Sequence, residues 1–345
     1  MRRALALARR GTGQTSPNPC VGAVVVRNGR VIGEGWHKVA GGPHAEVNAL
    51  ARTNARGATL YVTLEPCCTH GRTPPCTDAI IAAGIRRVVV AAIDPNPKHR
   101  GRGLRLLRQA GLRVDAGLLA DEATALNTAF NKWIVIGKPL VIAKAALSLD
   151  GQMATRTGDS RWITSAAARG IAHRIRAQVD AIMVSAGTVV ADDPRLTVRH
   201  GAGAGRQPWR VVVDTRGRSP LSARVFTDRH RNRTMVVTGL RSRTAWRETL
   251  AERGVTVILI RTKGSHVKMQ TMLRELGRRA ITSVLVEGGA GLLGALFDAG
   301  QVDRVAYFYA PKVIAGVSVV ARATVIRGTW RRIGDGEIVF EGTVA

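Results

Sequence analysis

Short apolar runs alternate with amphipathic stretches along the chain, and Gly and Pro separate them. Continuous apolar runs or a period of two predict buried strands, while apolar residues three or four apart predict helices. In the first part, strands are predicted at 20–26, 30–37, 58–64, 87–93 and 112–117, and helices at 1–10, 44–51, 77–83, 103–110 and 121–131. This alternation indicates an α/β sheet with helices on both faces.

Gly137-Lys138-Pro139 interrupts the pattern and predicts a domain boundary. The same alternation resumes beyond it, so we expect two α/β domains, 1–138 and 139–345. Strands are predicted there at 140–146, 180–185, 210–214, 234–238, 256–260, 283–287 and 305–310. Helices are predicted between the strands from 210 to 287, and further helices end near residue 176 and span 291–299. No element is predicted after about residue 316.

The chain of 345 residues has a formal net charge of +28. Residues 1–138 hold 20 Lys and Arg against 8 Asp and Glu, and the rest hold 32 against 16, so the excess is not confined to a tail. Polyanion binding, solvated arginine-rich faces and attraction of phosphorylated substrates are three interpretations. The sequence has no basic stretch interleaved with aromatic residues, so nucleic-acid binding is disfavoured. No apolar run of about 20 residues exists, so no membrane partner is expected.

The cysteines Cys20, Cys67, Cys68 and Cys76 all fall in the first 76 residues. A disulfide framework would not be distributed this way in so long a chain. Metal ligation in a reducing compartment fits better, so a cytoplasmic location is expected.

His44 and Glu46 form a His-x-Glu pair, followed by Pro-Cys at Cys67 and again at Cys76. This order is the signature of zinc deaminases that act on cytosine- or adenine-like rings. One histidine and two cysteines leave a fourth zinc position open, where the pKa of a water falls to about 7. Glu46 would then move protons without binding the metal. Eight residues separate Cys67 from Cys76, instead of the usual two.

With these motifs, residues 2–138 resemble the deaminase domain of the bifunctional riboflavin-biosynthesis family, which pairs a pyrimidine deaminase with a reductase. The matching stretches are Ser16-Pro17-Asn18-Pro19-Cys20-Val21-Gly22, Gly41-Gly42-Pro43-His44-Ala45-Glu46, Leu64-Glu65-Pro66-Cys67, Gly71-Arg72-Thr73-Pro74-Pro75-Cys76 and Asp94-Pro95-Asn96-Pro97. The stretch that ends at Cys76 accounts for the long spacing between the two cysteines. The family usually has His where Thr69 stands.

The resemblance implies a cytidine-deaminase-like α/β/α sandwich with one zinc ion per chain. His44, Cys67 and Cys76 would bind the zinc, and Glu46 would be the proton shuttle. The pyrimidine ribotide would be contacted by Asn18, His37, Arg72, Asp94 and Asn96. Without the resemblance, each of these five would be read as a turn or surface residue.

Glu287-Gly288-Gly289 ends a predicted strand and precedes a helix, which is a weak signal for phosphate binding. The domain has no full G-x-G-x-x-G fingerprint. Residues 140–315 nevertheless resemble the reductase domain of the same family, which has a dihydrofolate-reductase-like α/β fold and uses NADPH. The matching stretches are 144–151, 160–164, 188–199, 286–289 and 310–312.

By this resemblance the substrate would be held by Ser160, Arg176, Leu196, Arg199 and Glu287. NADPH would be held by Ala146, Trp162, Thr188, Asp192 and Gly289. We further hypothesise that Arg216 and Arg218 meet the 2′-phosphate of NADPH. Lys144 and Asp192 are candidates for the acid in the reduction.

The predicted function is therefore two consecutive steps of riboflavin synthesis. Zinc-dependent deamination of 2,5-diamino-6-(5-phosphoribosylamino)pyrimidin-4-one would precede NADPH reduction of the ribosyl group of 5-amino-6-(5-phosphoribosylamino)uracil to ribityl. One alternative is a deaminase of tRNA or another polynucleotide with a basic accessory domain. Another is an inactive binding protein that keeps the zinc for structure, against which the intact Glu46 speaks. Because the family tends to form dimers or tetramers, a homo-oligomer is also implied.

Overall fold

The computed structural model describes residues 1–70, 74–155, 163–199, 206–263, 266–314, 326–333 and 336–344. The chain forms two compact units, Met1–Gly137 and Lys138–Ala345. Gly137 ends the last helix of the first unit with a φ of 73°. Glycine adopts this left-handed conformation without the steric cost of a Cβ, so it stops the helix at the boundary.

The first unit, as far as it is described, contains a five-stranded sheet and six helices. The strands are β1 Gly22–Arg27, β2 Arg30–Trp36, β3 Thr59–Leu64, β4 Arg87–Ala92 and β5 Arg113–Ala116. The helices are α1 Arg2–Arg9, α2 Ala45–Leu50, α3 Cys76–Ala82, α4 Arg102–Gln109, α5 Ala120–Leu126 and α6 Thr128–Ile136. The strand order is β2-β1-β3-β4-β5, with β1 antiparallel to both neighbours and β3, β4 and β5 parallel.

Helices cover both faces of this sheet. Successive side chains of a strand point to opposite faces, so one strand can pack against both layers of helices. Ala23 and Val25 of β1 belong to a core with residues of α2, α3 and α4. Val24 points the other way and packs on α1 through Ala4 and Leu7. The predicted strands and helices of this unit are confirmed with ends that differ by a residue or two, except for the helix predicted at 121–131.

The single helix predicted at 121–131 is wrong, because two helices meet at Asn127. The side chain of Asn127 accepts a hydrogen bond from the backbone N–H of Cys20 at 2.8 Å. Its amide also donates to the Cys20 carbonyl at 3.0 Å. This pairing with a residue 107 positions earlier holds Asn127 at a φ of −108°, outside helical geometry. A long-range contact of this kind leaves no local signal in the sequence.

The second unit, within the described ranges, contains a nine-stranded sheet, a short hairpin and six α-helices. The sheet strands are β6 Leu140–Leu147, β7 Ala181–Ser185, β8 Trp209–Val213, β9 Thr234–Gly239, β10 Thr256–Ile260, β13 Ser283–Val286, β14 Arg304–Tyr309, β15 Ile326–Ile333 and β16 Glu337–Val344, and the hairpin strands are β11 Thr262–Lys263 and β12 His266–Val267. The helices are α7 Ala166–Gln178, α8 Ala186–Asp192, α9 Arg224–Thr227, α10 Thr244–Glu252, α11 Met269–Arg278 and α12 Ala290–Asp298, with a 3-10 turn at Arg231–Arg233.

The strand order of the large sheet is β10-β9-β8-β7-β13-β6-β14-β16-β15. The seven strands from β10 to β14 run parallel, and β16 and β15 add an antiparallel hairpin at one edge. The chain proceeds outward from β7 to β10 and then returns to insert β13 between β7 and β6. Such a reversal of strand order opens a crevice at the carboxyl ends of the strands, where ligands bind in α/β sheets.

Three features of the second unit were not predicted, and the first is the short hairpin of β11 and β12. The hairpin of β15 and β16 lies beyond residue 316, where the sequence indicated no element. It is held by pairing with β14 and by contact between the tilted rings of Trp330 and Phe340, whose centroids lie 4.8 Å apart. Helix α8 was also missed, and it begins where the Ser185 hydroxyl accepts a hydrogen bond from the N–H of Thr188.

Helix α2 packs so closely on β2 that a side chain cannot be placed between them. A Cβ on Gly35 would lie 2.4 Å from both the carbonyl oxygen of Ala45 and the N–H nitrogen of Ala49. This approach sets the start of α2, where His44 lies, against the sheet.

We expect Gly35→Ala to destabilise the first unit by about 1–3 kcal/mol, because overpacking forces backbone to move. The variant should also bind zinc more weakly, since the helix that begins after His44 is displaced. Thermal unfolding and metal content of the purified chain measure both effects. Gly291→Ala is the control, because a Cβ there has open space. Unchanged stability and zinc content in Gly35→Ala would contradict the expectation.

Candidate active sites

Three side chains of the first unit converge on one point. The Nδ1 atom of His44 and the Sγ atoms of Cys67 and Cys76 lie within 4.8 Å of one another. His44 Nδ1 is 3.2 Å from Cys76 Sγ and 3.5 Å from Cys67 Sγ. Tetrahedral zinc with ordinary Zn–N and Zn–S bonds holds such ligand atoms roughly 3.6 Å apart. The described residues therefore fit a zinc ion, with one histidine and two cysteines as ligands.

Each of these three residues is placed by the end of a regular element. His44 is the N-cap residue of α2, and Cys76 is the first residue of α3. Cys67 lies in the loop that follows β3, and its backbone carbonyl accepts a hydrogen bond from the N–H of Thr77 at 3.2 Å. The positive end of a helix dipole favours a thiolate over a thiol. Hydrogen bonds from Cys76 and His44 also lower the pKa of the Cys67 thiol.

Glu46 lies in the first turn of α2, beside the three ligand side chains. It is buried, with 3% of its surface exposed. Burial raises the pKa of its carboxyl from 4.5 to about 7. A group with this pKa can both take up and release a proton near neutral pH, which is the requirement for general acid–base catalysis.

His37 and Asn18 form a pair at the edge of the ligand cluster. The His37 ring lies edge-on to the His44 ring, with centroids 5.2 Å apart. Its Nδ1 is 3.1 Å from the carbonyl of Pro43, and its Nε2 is 3.1 Å from the amide nitrogen of Asn18. A carbonyl can only accept, so Nδ1 carries the hydrogen and Nε2 accepts from Asn18. Burial lowers the pKa of His37, which favours this neutral form.

Asp94 and Asn96 lie in the loop after β4 and are held by their own turn. Asp94 is 6% exposed, and its Oδ1 accepts a hydrogen bond from the N–H of Asn96 at 2.8 Å. The Asn96 side chain accepts from the N–H of Lys98 at 3.1 Å. Burial raises the pKa of Asp94, and the negative charge of Cys67 adds to the effect. Arg72 lies outside the described residues, so the fifth predicted contact has no position.

The second unit has a cavity of about 790 Å³ at the reversal of strand order. Its lining includes Ala146 of β6, Thr188 and Asp192 of α8, and Gly289 at the start of α12. These four were predicted to contact NADPH. The Thr188 hydroxyl oxygen accepts a hydrogen bond from the N–H of Gly289 at 3.1 Å, so α8 and α12 meet at this point. The predicted residues Ser160 and Trp162 lie outside the described residues.

A largely buried ion pair lies beside this cavity, since Glu287 is in the lining and the side chains of Arg176 and Glu287 are 14% and 9% exposed. The guanidinium of Arg176 donates to both carboxylate oxygens of Glu287, at 2.6 and 2.7 Å. It also donates to the carbonyl of Thr197 at 3.1 Å. Burial opposes ionisation, but the charges of Arg176 and Lys144 overcome it and lower the pKa of Glu287 to about 2. The pair is therefore charged at neutral pH.

Leu196 and Arg199 lie on the segment that follows α8. Leu196 is buried and has a φ of 51°, which a leucine rarely adopts. Arg199 is exposed, and burial of part of its side chain together with the charges of Arg176 and Arg195 lowers its pKa. Arg176 is paired with Glu287, but the neighbouring positive charges of Arg195 and Arg199 favour an anion such as a phosphate.

Two family models match the chain. The "RibD C-terminal domain" covers residues 139–324, and the "Cytidine and deoxycytidylate deaminase zinc-binding region" covers residues 1–92. The riboflavin biosynthesis protein RibD of Aquifex aeolicus is 46% identical over 322 residues, covering 92% of this chain and 88% of that protein. The Escherichia coli RibD is 44% identical over 327 residues, covering 91% and 87%. The chain belongs to the RibD family.

Solved structures agree with this membership. A structure of Acinetobacter baumannii RibD matches with a TM-score of 0.90 at 36% identity, covering 100% of this chain and 97% of that one. A Thermotoga maritima structure, described as a diaminohydroxyphosphoribosylaminopyrimidine deaminase and 5-amino-6-(5-phosphoribosylamino)uracil reductase, matches with a TM-score of 0.85 at 38% identity and the same coverage. The predicted fold class of a deaminase-like domain followed by a reductase-like domain is confirmed.

As a member of the RibD family, the chain is a bifunctional enzyme of riboflavin biosynthesis with a zinc-binding deaminase domain and an NADPH-dependent reductase domain. The predicted function is thereby confirmed, and the polynucleotide deaminase is not favoured. In the described part of the chain, every helix is too short or too polar to cross a bilayer.

Several residues of this RibD-family chain lie in or beside the two candidate sites although the sequence analysis assigned them no role. His266, on the short hairpin, lines the reductase cavity. His173 of α7 is buried, and its Nδ1 lies 3.5 Å from the backbone nitrogen of Arg199. Glu65 belongs to a matching stretch but had no predicted role. A buried acid directly after a buried strand was the available signal for Glu65, whereas nothing local marked the two histidines.

The buried ion pair generates a prediction on stability. Because the pKa of Glu287 is lowered to about 2, its contribution to the free energy of unfolding is fully present above the ordinary value near 4.5 and is lost as the pH falls toward 2. Glu287→Gln should cost the second unit about 3 kcal/mol at neutral pH, because Arg176 is left buried without its counter-ion.

Denaturant unfolding of wild type and variant between pH 3 and 8 measures this difference. It should stay constant down to about pH 5 and shrink below that value. Glu275→Gln is the control, since that side chain pairs with arginines on an exposed face of α11 and should be nearly neutral. A difference that grows as the pH falls would contradict the assignment of a charged pair.

Proposed function

We propose that specific residues of this chain carry out two consecutive reactions on one pyrimidine ribotide. The deaminase domain would hydrolyse 2,5-diamino-6-(5-phosphoribosylamino)pyrimidin-4-one at its amine-bearing ring carbon. The reductase domain would convert the ribosyl group of 5-amino-6-(5-phosphoribosylamino)uracil to ribityl. The observation that carries the proposal is the cluster of His44, Cys67 and Cys76 around buried Glu46, in the same chain as the large reductase cavity.

His44, Cys67 and Cys76 are the proposed zinc ligands, and their spacing and chemistry support this role. When bound, zinc supplies Lewis-acid chemistry that brings the pKa of a water to about 7. The remaining coordination position is open to solvent or substrate, because the set has three protein ligands.

Glu46 is the proposed proton shuttle. It takes the proton that the attacking water releases as the new C–O bond forms. It then passes protons to the ring nitrogen and to the amine, so that the C–N bond breaks and ammonia leaves. Its buried position beside the ligands and its pKa of about 7 support both transfers.

Asn18, His37, Asp94, Asn96 and Arg72 are the proposed ribotide contacts in the deaminase. Both ring nitrogens of His37 are engaged by Asn18 and Pro43, so this fixed, neutral ring would contact the ribotide through its uncharged face. Asp94 and Asn96 are held in one rigid turn, which would fix their remaining polar atoms before substrate arrives.

The reductase residues are proposed in two groups. Ala146, Thr188, Asp192, Gly289 and Trp162 would hold NADPH, and the cavity at the start of α12 supports this placement because a helix N-terminus favours phosphate. Substrate would be held by Ser160, Arg176, Leu196, Arg199 and Glu287. Arg199 suits the ribose phosphate, while the Arg176–Glu287 pair shapes the wall beside it.

When bound, NADPH supplies a hydride to C1′ of the opened, imine-like ribose. Lys144 is the proposed proton donor at this site. It lines the cavity, and burial lowers its pKa, although the charge of Glu287 opposes the shift. A lysine with a lowered pKa gives up its proton more readily. Asp192 also lines the cavity and is the second candidate.

A cytoplasmic location and a homo-oligomer, dimer or tetramer, are proposed as well. The location is supported by the chemistry of the cysteines, which are all free thiols. The oligomer is supported only by the family's tendency, and light scattering of the purified chain measures it.

Glu46→Gln should abolish ammonia release while leaving one zinc per chain, because glutamine cannot shuttle protons and Glu46 is not a ligand. The zinc-loaded wild type, given the undeaminated ribotide, should release ammonia and then consume NADPH. The variant should do neither with that substrate. Given the deaminated ribotide, the variant should consume NADPH at the wild-type rate.

Glu34→Gln is the matched control for this experiment, since it removes a carboxylate from exposed β2 in the same domain. Ammonia release by Glu46→Gln would exclude the proton-shuttle role. Failure of the wild type to act on either ribotide would refute the proposed substrates.

Arg216 and Arg218 generate a prediction on cofactor choice. Both line the cavity just after β8. Replacing both with alanine should reduce the preference for NADPH over NADH about a hundredfold, because charge-assisted hydrogen bonds to a 2′-phosphate are lost. The ratio of kcat/KM for the two cofactors measures the preference. Arg241 and Arg243 are likewise two residues apart and follow β9, but they are absent from the described lining, so their double alanine variant is the control. An unchanged ratio in the first variant would disprove the idea.

A further inference from the structure

Glu65 is a buried carboxylate that neither reaction step uses. It follows β3 directly and precedes the zinc-ligand residue Cys67 by two positions. Only 3% of its surface is exposed. Its backbone N–H donates to the carbonyl of Ala92 at 2.9 Å, which extends the pairing of β3 with β4. Burying a carboxylate is costly unless hydrogen bonds compensate it, so its partners explain its position.

Those partners are three backbone N–H groups of a single segment. Oε2 of Glu65 accepts from Gly101 at 2.9 Å and from Asp94 at 3.2 Å. Oε1 accepts from Gly103 at 3.0 Å. The segment 94–103 runs from the end of β4 to the first turn of α4, so one carboxylate ties both of its ends. The negative charge also lies at the positive end of the α4 dipole.

The middle of the segment is held by its own hydrogen bonds. Asp94 accepts from the N–H of Asn96, and the Asn96 carbonyl accepts from His99 and Arg100 at 2.9 and 3.0 Å. Segment 94–103 is therefore one hydrogen-bonded body that attaches to the sheet through Glu65.

Gly103 explains why the attachment is so close. A Cβ on this residue would lie 2.3 Å from the carbonyl oxygen of Pro66. The first turn of α4 thus touches the backbone between Glu65 and Cys67. The loop that carries a zinc ligand and the segment that carries Asp94 and Asn96 are joined here, directly and through the same carboxylate.

We propose that Glu65 is a positioning residue of the deaminase, which sets segment 94–103 at a fixed place relative to Cys67. The inference rests on the proposed roles of Asp94 and Asn96 as ribotide contacts and of Cys67 as a zinc ligand. Glu65 touches neither substrate nor metal. Its function is to hold the substrate contacts at the distance from the zinc site that the ring requires, because small misplacements of bound groups cost rate and affinity.

Glu65→Gln tests the attachment itself. Glutamine has the same size, but its NH₂ group donates and cannot accept from a backbone N–H. Loss of charge-assisted hydrogen bonds should raise amide hydrogen exchange in segment 94–103 by about tenfold or more. The rest of the sheet should keep its protection. Glu34→Gln is the control. If Glu65→Gln shows the same amide exchange in segment 94–103 as the wild type, the proposal is overturned.

Steady-state kinetics of ammonia release tests whether the attachment serves substrate. We expect the KM of Glu65→Gln to rise about tenfold, with kcat changed by less than about threefold and one zinc per chain retained, because contacts to bound substrate are weakened before the chemistry is. Glu65→Asp keeps the charge at shorter reach and should recover part of the loss. NADPH consumption with the deaminated ribotide should be unchanged in both variants.

The outcomes separate this inference from the proposed function. A wild type without ammonia release refutes the proposed function, and the inference with it. An active wild type with an unchanged KM in Glu65→Gln overturns the inference alone, since the carboxylate then serves stability only. If neither Glu65 variant retains zinc, the carboxylate builds the metal cluster and does not position substrate, which also overturns the inference.

Discussion

The deaminase domain depends on bringing one nitrogen and two sulfur atoms, the proposed zinc ligands, to a single point from three separate places in the chain. His44 and Cys76 lie at the starts of α2 and α3, and Cys67 lies in the loop after β3. Both helices pack on the same face of the sheet, so their first turns are rigid. A metal with strict bond lengths requires this rigidity, because ligands that drift by an ångström no longer match its geometry.

The same packing determines the chemistry around the ligands. Glu46 follows His44 by two residues in the first turn of α2, and this places its carboxyl in the buried space beside the two sulfur atoms. Burial shifts its pKa to about 7, where a proton can move in either direction. Glu65, by contrast, is buried against three N–H groups and serves as an acceptor. Two buried glutamates in one domain thus differ in role because their surroundings differ.

The reductase domain is also built on an α/β sheet, but its candidate site is a cavity at the edge of that sheet. Reversal of the strand order at β7 and β13 opens a cavity, and parallel strands direct their following loops into it. The Arg176–Glu287 pair lies at this edge and is fully charged in a buried place. Such a pair is costly to desolvate, but removing one partner leaves a buried charge, so each side chain requires the other at this edge.

The sequence by itself determined the family, the two domains' architecture and the three candidate zinc ligands, because these depend on short motifs and on local apolar periodicity. His-x-Glu with two Pro-Cys pairs needs only a few adjacent residues to be recognised. The features that depend on contacts between residues far apart in the chain were decided only by the tertiary structure. Asn127 divides a predicted helix through its bonds to Cys20, and the β15–β16 hairpin joins the sheet by pairing of β16 with β14. The attachment of segment 94–103 by Glu65 likewise arises from contacts 29 to 38 residues apart, which no local pattern encodes.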